Sequence, residues 1–174
     1  MPSPTTTKPR PEPARIPVVI GVGDLRSGRA GSPADPREPL DLILEATRAA
    51  LADSGAAVEL ASRIDTVRAV KTASWSYDDL PGLLAERIGA TPEHTSTTPH
   101  GGHWPAALLD RIAHDVAAGT SSVALLVGGE SQASVTNAYK TGTDPASLAG
   151  SPPPEALRRS IRTTWAAPRC SEHR

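Results

Sequence analysis

The sequence predicts an α/β fold, a layered, largely parallel sheet with helices packed on it, and three observations carry that prediction. Short apolar runs that read as buried strands recur along the chain, most clearly Val123–Val127, "VALLV". Between them lie stretches whose apolar residues repeat at three- and four-residue spacing, the mark of helices with one buried face. The chain contains no phenylalanine, so Leu, Ile, Val and Ala must build the core, which suits helices lying close on a sheet. Strand and helix patterns alternating in this way call for crossover helices over parallel strands.

Taken in order, residues 1–15 carry prolines at 2, 4, 9, 11 and 13; proline fixes φ and removes a backbone donor, so an extended or disordered arm is expected. Ile16–Gly23, "IPVVIGVG", reads as a buried strand and its turn, and residues 24–38 as a loop rich in Gly, Pro and Ser. Leu40, Ile43, Leu44, Thr47 and Leu51 predict a first helix, with negative charge near its start and Gly55 as its stop. A strand is expected over Ile64–Val70, followed by a loop with Trp75 and Tyr77. Leu80, Leu83, Leu84 and Ile88 define a second helix closed by Gly89, and His94–Thr98 a third strand, rich in β-branched threonine. Pro105, Leu108, Leu109, Ile112 and Val116 then predict a helix ending at Gly119, before the central strand 123–127. Residues 149–174 hold three consecutive prolines and five arginines with little periodicity, the character of a disordered or non-native tail. The expected layout is therefore an arm (1–15), one domain (16–148) and a tail (149–174), since 174 residues fit a single domain of roughly 100–200 residues with extensions.

Composition narrows the function. A formal net charge of −1 argues against nucleic-acid binding, which needs clustered Lys and Arg against phosphates. A single cysteine, Cys170, rules out an intrachain disulfide and a Cys-rich zinc site. The N-terminus lacks the apolar run of a signal peptide, and nothing approaches the ~20 apolar residues that span a bilayer; a cytoplasmic protein without membrane partners is expected.

The most suggestive stretch is "TTPHGGHWPAALLDR", residues 97–111. A glycine pair at a helix start lets backbone N–H groups approach a ligand where the helix dipole favours negative charge, so Gly101 and Gly102 are candidate substrate-binding residues. His103, in the first turn, is a candidate binding residue and the one catalytic candidate, suited to acid–base work by its near-neutral pKa. His94, His100, His103 and His114 raise the question of a metal. His103 and His114 lie about 16 Å apart along a helix, and His100 with His103 makes only two ligands, so no metal is expected. Glu130, after Gly128-Gly129, reads as a turn residue fixing backbone groups, Trp104 as a cover for the helix start, and Ser131 lies in no Gly-x-Ser-x-Gly elbow.

The segment "GGHWPAALLDRIAHDVAAGTSSVALLVGGES", residues 101–131, resembles the thiolase superfamily. There a nucleophilic cysteine opens a buried helix, a small-residue pair ends it (here Ala118-Gly119), and a strand leads into a Gly-Gly-Glu turn (here Gly128-Gly129-Glu130). "PVVIGVGDLRSGR" and "EPLDLILEATRAALADSG" are similar to the first thiolase strand and the helix after it. The resemblance covers about residues 16–145, the N-terminal half of a thiolase-like chain, and is nearest to the actinobacterial acetyl-CoA acetyltransferase-like group, whose loop typically reads Gly-Gly-Asn-Thr-Pro-Gln.

That resemblance implies an acyltransferase of lipid metabolism acting on acetyl-CoA or another acyl-CoA, the acyl-CoA being a ligand and no cofactor being needed. It also implies a chain truncated relative to a full thiolase, with one face left for a second copy or a partner protein. The nucleophile position falls at about Gly102, and glycine cannot be acylated, so the covalent step is expected to be missing. Two other readings stay open: a non-catalytic subunit or partner-binding module, and a cysteine-independent CoA-thioester aldolase, for which Tyr77 and Tyr139 are the available acid–base groups.

Overall fold

The protein, seen here as a computed structural model, is described over residues 15–26 and 37–142. The expected arm before residue 15, the tail from 149 with Cys170, and the side chain of Tyr139 lie outside the described residues.

Helix α1 (Pro39–Asp53) begins with a proline whose φ is already helical, and its buried residues include the predicted Leu40, Ile43, Leu44, Thr47 and Leu51. A short helix that periodicity did not reveal, α2 (Ala57–Arg63), follows Gly55. Strand β1 (Thr66–Ala69) comes next, then α3 (Leu80–Ile88). Asp79 caps α3 by accepting from the Gly82 N–H at 3.0 Å, and Gly89, at φ 72°, ends it in the left-handed region that glycine enters without a Cβ clash. β2 (His94–Thr97), α4 (Trp104–Ala118), β3 (Ala124–Val127) and α5 (Gln132–Thr141) complete the order; α5 was not foreseen.

The three strands pair in parallel in the order β2-β1-β3, with Val67 set between Thr95 and Leu125. The side chains of Val67, Ala69 and Val127 enter a core built with Leu40, Ile43 and Leu44 of α1 and Leu80, Leu84 and Ala85 of α3. Gly129 lets the end of β3 pass α1, since a Cβ there would lie 2.8 Å from Ile43 Cγ1. The carboxylate of Asp65 ties the start of β3 to β1 by accepting from Ser121 Oγ (2.6 Å) and the Ser122 and Val123 N–H groups. Burial disfavours its charge, but these bonds and one from Thr66 outweigh that and hold its pKa below the usual aspartate value.

Two sequence expectations are corrected. Ile16–Gly23 is not a strand: it runs extended, pairs with none of the three strands, and leaves Val18, Val19 and Ile20 exposed. It lies instead along α1, where Gly21 and Gly23 come so near the carbonyls of Ala50 and Ala46 that a side chain would collide with them. The Val22 N–H donates to Asp53 at 2.9 Å. The apolar stripe of α4 is also not a buried face. Leu108 is buried, whereas Leu109 is 52 % exposed and Ile112 and Val116 are half-buried, because α4 packs mainly on β3, the outer strand among the described residues. Leu83 of α3 is likewise exposed.

Candidate functional site

The predicted site residues stand at the start of α4. His103 is the N-cap, in helical backbone geometry and making no side-chain capping bond, and α4 has no acidic residue in its first turn. Gly101, Gly102 and His103 are all exposed. The space beside Gly102 is open, with no atom within 4 Å of where a Cβ would stand. The His103 and Trp104 rings lie 4.8 Å apart, tilted by 34°, so Trp104 rests on its neighbour at the helix start. The loop therefore offers exposed backbone at the positive end of a 15-residue helix.

Glu130 does what its place in the turn suggested. Its carboxylate accepts from the N–H groups of Ala73 and Ser74, the latter at 2.9 Å, and from Ser74 Oγ, while Ser74 Oγ accepts from the Ser131 N–H at 3.0 Å. The Gly-Gly-Glu turn thereby fixes the loop after β1, and Glu130 is a positioning residue.

Sequence reading missed two features. One is a polar groove of about 690 Å3 between α4 and the sheet, which brings together His94 and His114 with Arg68, Asp110, Arg111 and Asp115. At its base Arg68 bonds Asp115 at 2.7 Å and Ser96 Oγ at 2.9 Å, while its buried Nε has no partner among the described residues. Burial disfavours the Asp115 charge, but the Arg68 bond and the Arg111 and Arg68 charges outweigh it and depress its pKa. Among the described residues no three His, Cys, Asp or Glu side chains converge to hold a metal ion. The alternation of β1 was the available signal, since it sends Arg68 to the face opposite Val67 and Ala69.

The other feature surrounds Tyr77. Its hydroxyl accepts from the Leu40 N–H at 3.0 Å and donates to Glu38 at 3.2 Å. Burial pushes the phenol pKa well up, assisted by Glu38. Burial also raises the Glu38 pKa, as does Asp41, against the lowering effects of Tyr77 and Arg87. Tyr77 thus secures the start of α1.

No protein-family model matches the chain, and no curated protein does. Among solved structures, it is similar to a monomeric SCP2-thiolase-like protein type 1 from Mycobacterium smegmatis, at 32 % identity with a TM-score of 0.59. The match covers 68 % of this chain and 24 % of that one. The parallel sheet and its packed helices therefore form a thiolase-like α/β fold, and the chain spans about a quarter of the length of that structure. No helix among the described residues is long and apolar enough to cross a membrane.

Proposed function

We propose that this chain is a thiolase-like module of cytoplasmic lipid metabolism, related to the acetyl-CoA acetyltransferases, that holds an acyl thioester without forming an acyl-enzyme. The observation that carries this reading is the α4 start. By the resemblance the thiolase cysteine position falls at about Gly102, which is exposed and has open space beside it, so backbone N–H groups and the helix dipole can meet a thioester carbonyl while no atom there can accept the acyl group. His103 is the side chain placed to donate to such a ligand. On incubation with labelled acetyl-CoA, the expected result is reversible binding by calorimetry and no adduct by intact-mass measurement. Gly102→Trp should fold normally, given the open space, and weaken binding at least tenfold. A stable acyl adduct on the unaltered chain sinks the reading.

A second reading is favoured by a separate observation: the exposed apolar segment Ile16–Val22 and the apolar flank of α4. They suit a non-catalytic module that associates with a second copy or a partner protein, because water-exposed apolar surface of this kind commonly marks association sites. The aldolase alternative gains nothing from Tyr77, whose hydroxyl is engaged at the start of α1.

A further inference from the structure

We infer that Thr98 is a positioning residue for the α4 start: its buried hydroxyl sets the direction of the Pro99–His100 peptide and so adds the His100 N–H to the backbone donors beside Gly101 and Gly102. The inference rests on the thioester-binding reading and names the side chain that holds the loop in place for it.

Three observations carry it. First, the loop is open and lightly tied. Pro99, His100, Gly101 and Gly102 are all exposed, and proline has no N–H to give. The N–H groups of His100, Gly101 and Gly102 donate to no partner among the described residues. The Gly101 carbonyl accepts from the Trp104 N–H at 3.3 Å, which joins the loop to α4; its tie toward the sheet is Thr98. Second, Thr98 is itself anchored. It is 8 % exposed, and its N–H donates to the Ala69 carbonyl at 3.0 Å, extending the pairing of β1 with β2 one residue past Thr97. Third, the hydroxyl is engaged in both directions. Oγ1 accepts from the Lys71 N–H at 3.3 Å and donates to the Pro99 carbonyl at 2.8 Å. A hydroxyl carries a single hydrogen, so the bond received from Lys71 leaves that hydrogen for Pro99.

The geometry of the peptide unit turns this bond into a direction. A planar trans peptide sets its C=O and the following N–H on opposite sides, and no cis peptide occurs among the described residues. With the Pro99 carbonyl held on Thr98, the His100 N–H is turned away from Oγ1. No other described group bonds that carbonyl, so without the hydroxyl the plane is free to rotate. Donor direction matters because a hydrogen bond weakens steeply off its axis, and a loop ordered before its ligand arrives loses less affinity to ordering. The far end of the tie is also fixed: the Val70 N–H donates to the Val127 carbonyl at 2.8 Å, and Ala73 and Ser74 are held by Glu130. Thr98 thus joins the braced end of β1 to the entrance of α4.

The test uses the full chain, nitrogen-15 relaxation and two variants: Thr98→Val, which keeps the branched shape and removes the hydroxyl, and Thr98→Ser, which restores it. In the parent, order parameters at His100, Gly101 and Gly102 should stand near the value of roughly 0.85 for rigid backbone; in Thr98→Val they should fall below about 0.6 while α1 and β3 keep theirs. Acetyl-CoA affinity by calorimetry should drop about tenfold in Thr98→Val and return to within about twofold of the parent in Thr98→Ser. Unchanged loop order in Thr98→Val, a loss that Thr98→Ser does not restore, or loosening spread equally over α1 and β3 overturns the inference. If Thr98→Val does not fold, the parent decides: a rigid loop with a protected Lys71 amide supports the inference, and order parameters below about 0.6 at these three residues overturn it. Acetyl-CoA failing to bind the parent while the relaxation pattern holds overturns the thioester reading alone and supports the Thr98 tie.

Discussion

The two faces of the sheet are finished to different degrees. On one, α1 and α3 close over Val67, Ala69 and Val127, and Leu84 is fully buried. On the other, α4 has nearly the same mix of apolar and polar residues, yet Leu109 is half exposed and the β1 side chain bonded to the helix is Arg68, paired with Asp115. Similar amphipathic helices therefore have different fates, and the difference lies in what surrounds them. A helix set between a neighbouring helix and the middle of a sheet has its stripe covered; one leaning on the outer of the described strands keeps part of that stripe open.

The largest expected effect is on the closed face. Leu84→Ala should destabilise the fold by about 2–5 kcal/mol through lost transfer energy and a residual cavity, read from the denaturant midpoint. Glu130→Ala comes next: it strips the carboxylate from the Ala73 and Ser74 N–H groups and should cost about 1–3 kcal/mol by the same measurement.

A smaller effect appears on titration. Asp65 and Asp115 have folded pKa values below the ordinary 3.8, so the stability they contribute is present above that value and is lost as pH falls through their folded values. Glu38 works the other way. Its folded pKa lies above 4.5, so its unfavourable burial is relieved as pH drops from neutrality toward 4.5. Stability should therefore rise slightly into mild acid and fall below about pH 3.8, and Asp65→Asn should flatten that fall in urea melts at stepped pH. Least affected should be Leu109→Ala, within about 0.5 kcal/mol of the parent. A large loss there would show that the α4 flank is covered in solution and would erase the contrast between the faces.

How much was legible depended on whether the signal was local. Gly55, Gly89 and Gly119 each follow a helix with φ near +75°, and a left-handed residue after the last periodic position is a nearest-neighbour event that the chain announces by itself. The same holds for the α1 stripe, for β1, β2 and β3, and for Glu130, whose place after two glycines already marked a turn. At the α4 start the sequence supplied Gly101, Gly102 and His103 and the absence of a cysteine, while only the coordinates set His103 against Trp104 and left open space beside Gly102.

Tertiary structure alone decided the rest. "PVVIGV" has every local property of a strand, but a strand exists only where a second edge meets it, and close packing of Gly21 and Gly23 holds this segment on α1, away from β3. Periodicity likewise identified α4 as amphipathic without saying how much of its stripe would find a partner. The sequence by itself determined which segments are regular and which face of each is apolar, because those follow from side-chain sterics and the period of the backbone. What lies against each face, including the Arg68–Asp115 pair across 47 residues and the place of β3 beside β1, depended on long-range packing that no local pattern encodes.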